Sequence, residues 1–333
     1  MKSEGLQYAT MLQDELPAVL ATMHEVQQRL PDPVAPALAA IIKGGGKRLR
    51  PALVLLSAHM FDVATSTAIS VAAAVEMLHT ATLIHDDLID NALVRRGKQT
   101  LNAQWSAAAT VLTGDVAFAW AAELATRSQS VKLVERFSET LTTICGGELN
   151  QMFANRAQLP TEADYYSRIF SKTASLFAIA AESGSLLAQR DEADVQRMRT
   201  FGKLLGEAFQ IVDDVLDFMG DESKLGKPVG SDLRQGIITL PVLYYFRHHP
   251  DDARIKSVLA RAGHIHGYDS HTRNENTIQA LIADLRQSGA AEWAMQQAET
   301  RSEEAQVLLD IYPDTPYRRA MQEIAAFAVQ RQY

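Results

Sequence analysis

Cysteine is almost missing from this chain of 333 residues. Cys145 is the single thiol, which excludes an internal disulfide framework and a cysteine-rich zinc site together. A reducing, cytoplasmic setting is the expectation that follows. Long apolar runs are lacking too: no segment approaches the roughly 18 uninterrupted apolar residues of a membrane span. Met1-Lys2-Ser3-Glu4 runs into Gln7 and Asp14 before any stretch of signal-peptide length. Positive charge is in deficit, with 32 Lys and Arg against 40 Asp and Glu, a formal net charge of −8. A phosphate backbone is held by clustered cations, so this balance argues against a nucleic-acid partner. At 47% hydrophobic and 22% charged, the composition is too apolar for disorder and too interrupted for a membrane protein.

Strict period-2 alternation of β-branched and aromatic residues is scarce as well, whereas apolar residues recur at spacings of three and four almost throughout. That pattern predicts an all-α fold, a bundle of long helices. Breaks are expected at helix punctuation: Pro31-Asp32-Pro33, Gly44-Gly45-Gly46, Pro51, Gly97, Gly114, Gly146-Gly147, Pro160 and the stretch from Gly220 to Gly236. No linker-like composition divides the chain, so residues 1–333 read as one domain. His248, His249, His264, His266 and His271 crowd a polar stretch of 248–277. Their spacings match no zinc motif, and an exposed connection between helices is the expectation.

The chain contains one internal echo. Leu83-Ile84-His85-Asp86-Asp87-Leu88-Ile89-Asp90 recurs as Gln210-Ile211-Val212-Asp213-Asp214-Val215-Leu216-Asp217, matching at the isoleucine and at all three aspartates. In each copy the first and third aspartates are four apart, which places them on one helix face roughly 6 Å apart. A lone acidic pair of that kind is ordinarily a solvated face. Both clusters, however, sit in apolar sequence, where unpaired charge is costly. Hard divalent cations are the natural resolution, since Mg²⁺ takes oxygen ligands and is commonly held by one or two carboxylates together with substrate phosphates and waters. Cations nearby point to an anionic substrate: Arg95 and Arg96 after the first cluster, Lys224 and Lys227 after the second.

Gly44-Gly45-Gly46-Lys47-Arg48-Leu49-Arg50-Pro51 is not a Walker A loop, which needs Ser or Thr directly after its lysine. Its cations Lys47 and Arg50 can still surround a phosphate, Arg with a planar fork of donors and Lys as a point charge. His79 lies seven residues before Asp86 and shares its helix face. Gln210 sets a neutral amide on the second acidic stripe.

Together these pieces resemble the all-trans polyprenyl diphosphate synthases, the head-to-tail prenyltransferases. The likeness rests on Gly45-Gly46-Lys47-Arg48-x-Arg50-Pro51, on Leu78-His79-Thr80 through Asp86-Asp87-x-x-Asp90 with Arg95-Arg96-Gly97, on Lys172-Thr173, on Phe209-Gln210 with Asp213-Asp214-x-x-Asp217, and on Leu225-Gly226-Lys227. The ending from Tyr312-Pro313-Asp314 to Gln330-Arg331 looks like the long-chain, octaprenyl or heptaprenyl, branch.

The resemblance implies a helical bundle around a deep central cavity, with the two aspartate motifs facing each other across its mouth, and commonly a homodimer. By the same likeness Asp86, Asp90 and Asp213 bind Mg²⁺ most directly, three ions per site, with Asp87, Asp214 and Asp217 as helpers. Lys47, Arg50, His79 and Arg96 then hold isopentenyl diphosphate. Arg95, Lys172, Thr173, Gln210 and Lys227 surround the allylic diphosphate. Diphosphate would leave the allylic C1, its charge neutralised by metal and cations. The oxygens of Thr173 and Gln210 would ease the resulting carbocation. Where many relatives carry lysine this chain has Ile237, and no diphosphate contact is assigned there. Thr82 and Ala81, four and five positions before the first motif, are small and lie roughly 6 to 7.5 Å along the helix. That pair implies a long product, as for a quinone side chain, with Phe118 and Trp120 as candidates for a lower floor. The alternatives are a geranylgeranyl or farnesyl diphosphate synthase, or a non-catalytic partner subunit.

Overall fold

The computed structural model describes residues 6–44, 46–95, 97–153, 158–220, 229–261 and 275–330. Its helices in chain order are α1 (Gln7–Met11), α2 (Glu15–His24), α3 (Val34–Lys43), α4 (Leu49–Met60), α5 (Thr65–Ile89), α6 (Leu101–Gln104), α7 (Ala107–Thr126), α8 (Val131–Phe153) and α9 (Glu162–Ile169). They continue with α10 (Ser175–Leu187), α11 (Glu192–Met219), α12 (Ser231–Arg234), α13 (Leu240–His248), α14 (Arg254–Arg261), α15 (Glu275–Gln287), α16 (Ala290–Leu308) and α17 (Pro316–Val329). Strands β1 (Val94–Arg95) and β2 (Lys98–Gln99) form a two-residue antiparallel hairpin, closed at Gly97, whose φ of +74° suits a residue without a Cβ. The all-α expectation holds. The chain divides into two compact units, one of Met1–Leu141, Leu176–Gly202 and Ala305–Ile324, the other of Thr142–Ser175, Lys203–Glu304 and Ala325–Tyr333.

In the first unit α5 is apolar on nearly every side, so it is enclosed. Ala72, Ala73, Ala74, Val75, Met77, Leu78 and Ala81 are all buried along it, and α7, α4 and α2 pack against it. By length and composition α5 and α7 could each cross a membrane, but the most apolar stretch of α5 is 72% buried inside the protein and that of α7 39%.

Three punctuation marks read from the sequence are not breaks. Pro51 sits in the first turn of α4, where a missing N–H leaves no hydrogen bond unmade. Gly114 lies inside α7 because the His85 ring occupies its side-chain space; an added Cβ would meet His85 Cε1 at 2.2 Å. Gly147 lies inside α8, where a Cβ would meet that of Ser171 at 2.3 Å. Each glycine marks a helix pressed against a neighbour rather than a helix end. Similarly, Gly184 of α10 lets α4 approach, with the Ser57 hydroxyl donating to the Ala181 carbonyl at 2.6 Å.

Glu182 of α10 is a buried charge between Arg136 and Arg199, each 3.6 Å away. Burial pushes its carboxyl up to about 7, against the pull of Arg199 and Arg136. A raised carboxyl binds its proton more tightly in the folded chain, so its contribution to stability is full below the unfolded pKa and is lost as pH rises toward 7. Glu182→Gln is therefore expected to melt higher than the native protein at pH 8, with the difference closing by about pH 4.5. Thermal melts across that range check it, and a lower melting temperature for the variant at pH 8 would contradict it.

The second unit has its own core, built by Tyr165, Ile211, Val215, Phe218, Leu243, Phe246, Leu281 and Leu285 among others. Its entry to α9 is a capping box: the Asp164 N–H donates to the Thr161 hydroxyl and the Thr161 N–H to the Asp164 carboxylate. Between α9 and α10 the backbone widens into a π-helical turn, Phe170–Ala174. That turn carries Lys172 and Thr173.

Candidate active site

His79, Asp86 and Asp87 all ride on α5, and Asp90 is its C-cap, the Asp90 N–H donating to the Asp86 carbonyl at 2.8 Å. Asp86 and Asp90 therefore stand one turn apart at the negative end of a 25-residue helix, where the helix dipole and the carboxylates both favour a cation. Asp87 points elsewhere. It is buried and accepts from Arg95 Nε at 2.7 Å, which ties the β1–β2 hairpin to the helix. His85 is locked in place: its Nδ1 meets the Ala81 carbonyl at 3.0 Å, its Nε2 lies 3.3 Å from Asp115, and Phe118 stacks on its ring at 4.9 Å. The guanidiniums of Arg29 and Arg127 lie over the Trp120 ring, at 4.8 and 5.1 Å. Arg96 and Lys227 lie outside the described residues, as do His264, His266 and His271.

The second motif occupies the last two turns of α11, again a helix C-terminus. Asp214 is deeply buried, and both of its oxygens accept: one from the Tyr165 hydroxyl at 2.7 Å, the other from Gln210 Nε2 at 2.8 Å. Burial first, and Asp232 second, push its carboxyl up to about 7, while Arg168 and the two hydrogen bonds pull against them. Gln210 in turn accepts from the Thr173 hydroxyl at 2.6 Å. A continuous chain, Thr173–Gln210–Asp214–Tyr165, thus fixes the hydroxyl and the amide that the sequence marked. Asp217 ties off the helix end: its carbonyl accepts from the Gly230 N–H at 2.7 Å and its carboxylate from the Asp232 N–H at 3.0 Å. Asp213, the residue before Asp214, is half-buried.

Lys172 Nζ pairs with Glu148 of α8 at 3.2 Å. A π-turn shifts the helix register by one residue, which sets Lys172 and Thr173 apart from an ordinary α-helical face. Lys47 lies in the turn before α4 and Arg50 in the first turn of that helix, on either side of the N-cap Arg48, and Arg50 lies over the Phe177 ring at 4.5 Å. Near Ile237, Arg168 donates to the Ile238 carbonyl at 2.8 Å. Among the described residues no group of three His, Cys, Asp or Glu side chains gathers as a ready metal cage. Pairs of carboxylates at helix C-termini are instead an all-oxygen donor set that fits Mg²⁺ completed by phosphate and water.

Sequence reasoning passed over Tyr165, Glu148, Arg168 and Glu76. Glu76, three residues before His79, was open to the same helical-face argument; Tyr165 had no local signal, since its partner lies 49 residues away.

An all-helical chain with two aspartate motifs at helix ends, a lysine–threonine π-turn and a basic turn belongs to the diphosphate-handling helical transferases. Residues 32–312 match the family model described as Polyprenyl synthetase, and the chain belongs to that family. It is a prenyltransferase, as the motifs implied. It is 36% identical over 292 residues to octaprenyl diphosphate synthase of Escherichia coli (strain K12), covering 87% of this chain and 88% of that protein. To heptaprenyl diphosphate synthase component 2 of Geobacillus stearothermophilus it is 34% identical over 325 residues, 97% and 98% of the two chains. The crystal structure of a polyprenyl synthase from Caulobacter crescentus CB15, complexed with calcium and isoprenyl diphosphate, matches with a TM-score of 0.88 at 33% identity, covering 98% and 97%. Family membership implies isopentenyl and allylic diphosphate substrates and a divalent metal.

Proposed function

We propose that the protein is a Mg²⁺-dependent synthase that condenses isopentenyl diphosphate head-to-tail with an allylic diphosphate, working as one chain-long synthase domain. The observation that carries this reading is the hydrogen-bonded chain from Thr173 to Tyr165 beside the half-buried Asp213. It presents neutral oxygen dipoles next to carboxylates, the pairing needed to stabilise a carbocation while a diphosphate leaves. Asp86, Asp90 and Asp213 are assigned to the metal, with Asp87, Asp214 and Asp217 holding the surrounding geometry through their protein partners. When bound, Mg²⁺ supplies positive charge to the leaving diphosphate.

The side chains divide the remaining work. Lys47, Arg50, His79 and Arg96 hold isopentenyl diphosphate with its double bond toward the reacting carbon. Arg95, Lys172 and Lys227 hold the allylic diphosphate, and Lys172 exchanges Glu148 for it on binding. Thr173 and Gln210, fixed by Asp214, turn oxygen lone pairs to the developing cation without capturing it. The proton lost after bond formation passes to the departed diphosphate, since no side-chain base stands nearby in the sequence motifs.

A product of about C30 to C50 is proposed from the small residues Ala81 and Thr82 one turn along α5 from the first motif. A homodimer is proposed as well. Two neighbouring exposed aliphatics on α7, Val111 and Leu112, support it, because contiguous exposed apolar surface is ordinarily covered. Incubation with Mg²⁺, labelled isopentenyl diphosphate and farnesyl diphosphate, then extraction and sizing of the lipid, tests the activity and the chain length together. Absence of extended product would sink the reading.

The division between substrates is testable separately. Lys47→Ala and His79→Ala are expected to raise KM for isopentenyl diphosphate roughly tenfold with kcat little changed, whereas Lys172→Ala lowers kcat by roughly a hundredfold. Steady-state kinetics with each substrate varied in turn checks this. Equal effects of all three on both substrates would contradict it.

A further inference from the structure

Arg48 lies between Lys47 and Arg50, yet its side chain turns inward. Its Nη1 donates to Glu76 Oε1 at 2.6 Å and its Nη2 to the Ile42 carbonyl, with only 12% and 7% of the Arg48 and Glu76 side chains exposed. Ile42 belongs to the last turn of α3, and the Arg48 carbonyl accepts the first hydrogen bond of α4, from the Ala52 N–H at 3.1 Å. One residue therefore joins both helices that flank the basic turn to a carboxylate on α5, α3 and Glu76 through its guanidinium and α4 through its carbonyl. The backbone there is left-handed, with Arg48 at φ 53° and ψ 37°, a conformation a residue with a Cβ keeps only where its surroundings impose it. On the other side of Lys47, the buried Tyr8 hydroxyl donates to the Lys47 carbonyl at 2.6 Å. Burial pushes that hydroxyl up to about 12, so it remains a donor.

Glu76 lies three residues before His79 on α5, hence on the same face one turn away. A buried ion pair by itself adds little net stability, because desolvation offsets attraction. Its attested use is to fix register. Resting on the reading that Lys47, Arg50 and His79 hold isopentenyl diphosphate, we propose that Arg48, Glu76 and Tyr8 are positioning residues that set the basic turn in register with His79. Arg48 is then not a diphosphate ligand: Glu76 neutralises it, and the charge offered at the turn is that of Lys47 and Arg50.

Calorimetric titration with isopentenyl diphosphate alone gives the readout, joined to KM for each substrate and a thermal melt. Glu76→Gln is expected to weaken isopentenyl diphosphate roughly tenfold or more, and Tyr8→Phe, which keeps the ring, by roughly threefold, with KM for the allylic substrate unchanged. The double variant Arg48→Met/Glu76→Met removes both buried charges. It is expected to regain the melting temperature lost in Glu76→Gln while isopentenyl diphosphate stays weakly bound, an outcome that a purely structural pair would not give. Native affinity in folded Tyr8→Phe and in the double variant, or equal losses for both substrates, would overturn the proposal. Lys47→Ala serves as the control on its foundation: if that variant binds isopentenyl diphosphate normally, the substrate assignment itself has failed.

Discussion

Asp86→Ala and Asp213→Ala are each expected to lose about a thousandfold or more of turnover while the metal-free protein melts at the native temperature or above it. Both aspartates stand at the C-terminal ends of long helices, α5 and α11, with second carboxylates four residues on. Each such carboxylate faces the negative pole of the helix and a like charge, so without a cation its removal relieves repulsion. With Mg²⁺ and a diphosphate analogue the sign reverses: the native protein gains stability by linkage and the variants gain less. Asp214, the next residue after Asp213, is expected to behave in the opposite way. Asp214→Ala leaves the buried Tyr165 hydroxyl and the Gln210 amide without their acceptor, and each buried donor left unmade costs about 1–3 kcal/mol. Neighbouring alanine substitutions should therefore differ in the sign of their effect on the metal-free melt. Turnover assays and melts with and without Mg²⁺ check both halves. Native turnover in either Asp86→Ala or Asp213→Ala would end the metal assignment.

The helical class and the position of both aspartate motifs were legible because they are local properties: period, spacing and apolar flanks are visible in one stretch of chain. The placement of His79 and Asp86 on one helix follows from the same rule and is borne out by α5. What a single stretch does not contain was not legible. Gly114 and Gly147 read as helix breaks because the His85 ring and the Ser171 side chain that need their space come from elsewhere in the chain. The π-turn at Phe170–Ala174 has no composition signature, since Lys172, Thr173 and Ala174 are ordinary in a helix. Asp214 and Asp213 look alike in sequence, and it is the Tyr165 hydroxyl, 49 residues away, that marks Asp214 as the deeply buried member of the pair while Asp213 is half-buried. Asp87 and Arg95 form the instructive intermediate case. They are eight residues apart and pair at 2.7 Å, but the chain between them leaves α5 after Ile89, and helical periodicity does not describe how it returns.

Ala81→Tyr is expected to shorten the product to about C15 or C20 while the first condensations proceed at near-native rate, because the ring would enter the path of the growing tail about a turn from the metal end of α5. Ala81 is fully buried, and its carbonyl is the acceptor for His85 Nδ1 at 3.0 Å. Backbone at this level is therefore already fixed, and a new side chain cannot be accommodated by unwinding the helix. On α7, Ala117 and Ala121 are likewise buried and small, so short side chains line both helices of this packed pair. The Phe118 ring stacks on His85 and the Trp120 ring lies under Arg29 and Arg127, and on these contacts neither is proposed as the floor. On this geometry Phe118→Ala leaves product length unchanged and Ala81→Tyr shortens it. Overpacking costs about 1–3 kcal/mol in a filled core, so a melt must accompany the product analysis. A folded, active Ala81→Tyr enzyme that still makes the native product would show that the tail runs along another face of α5, and the long-chain proposal would lose the residue on which it rests.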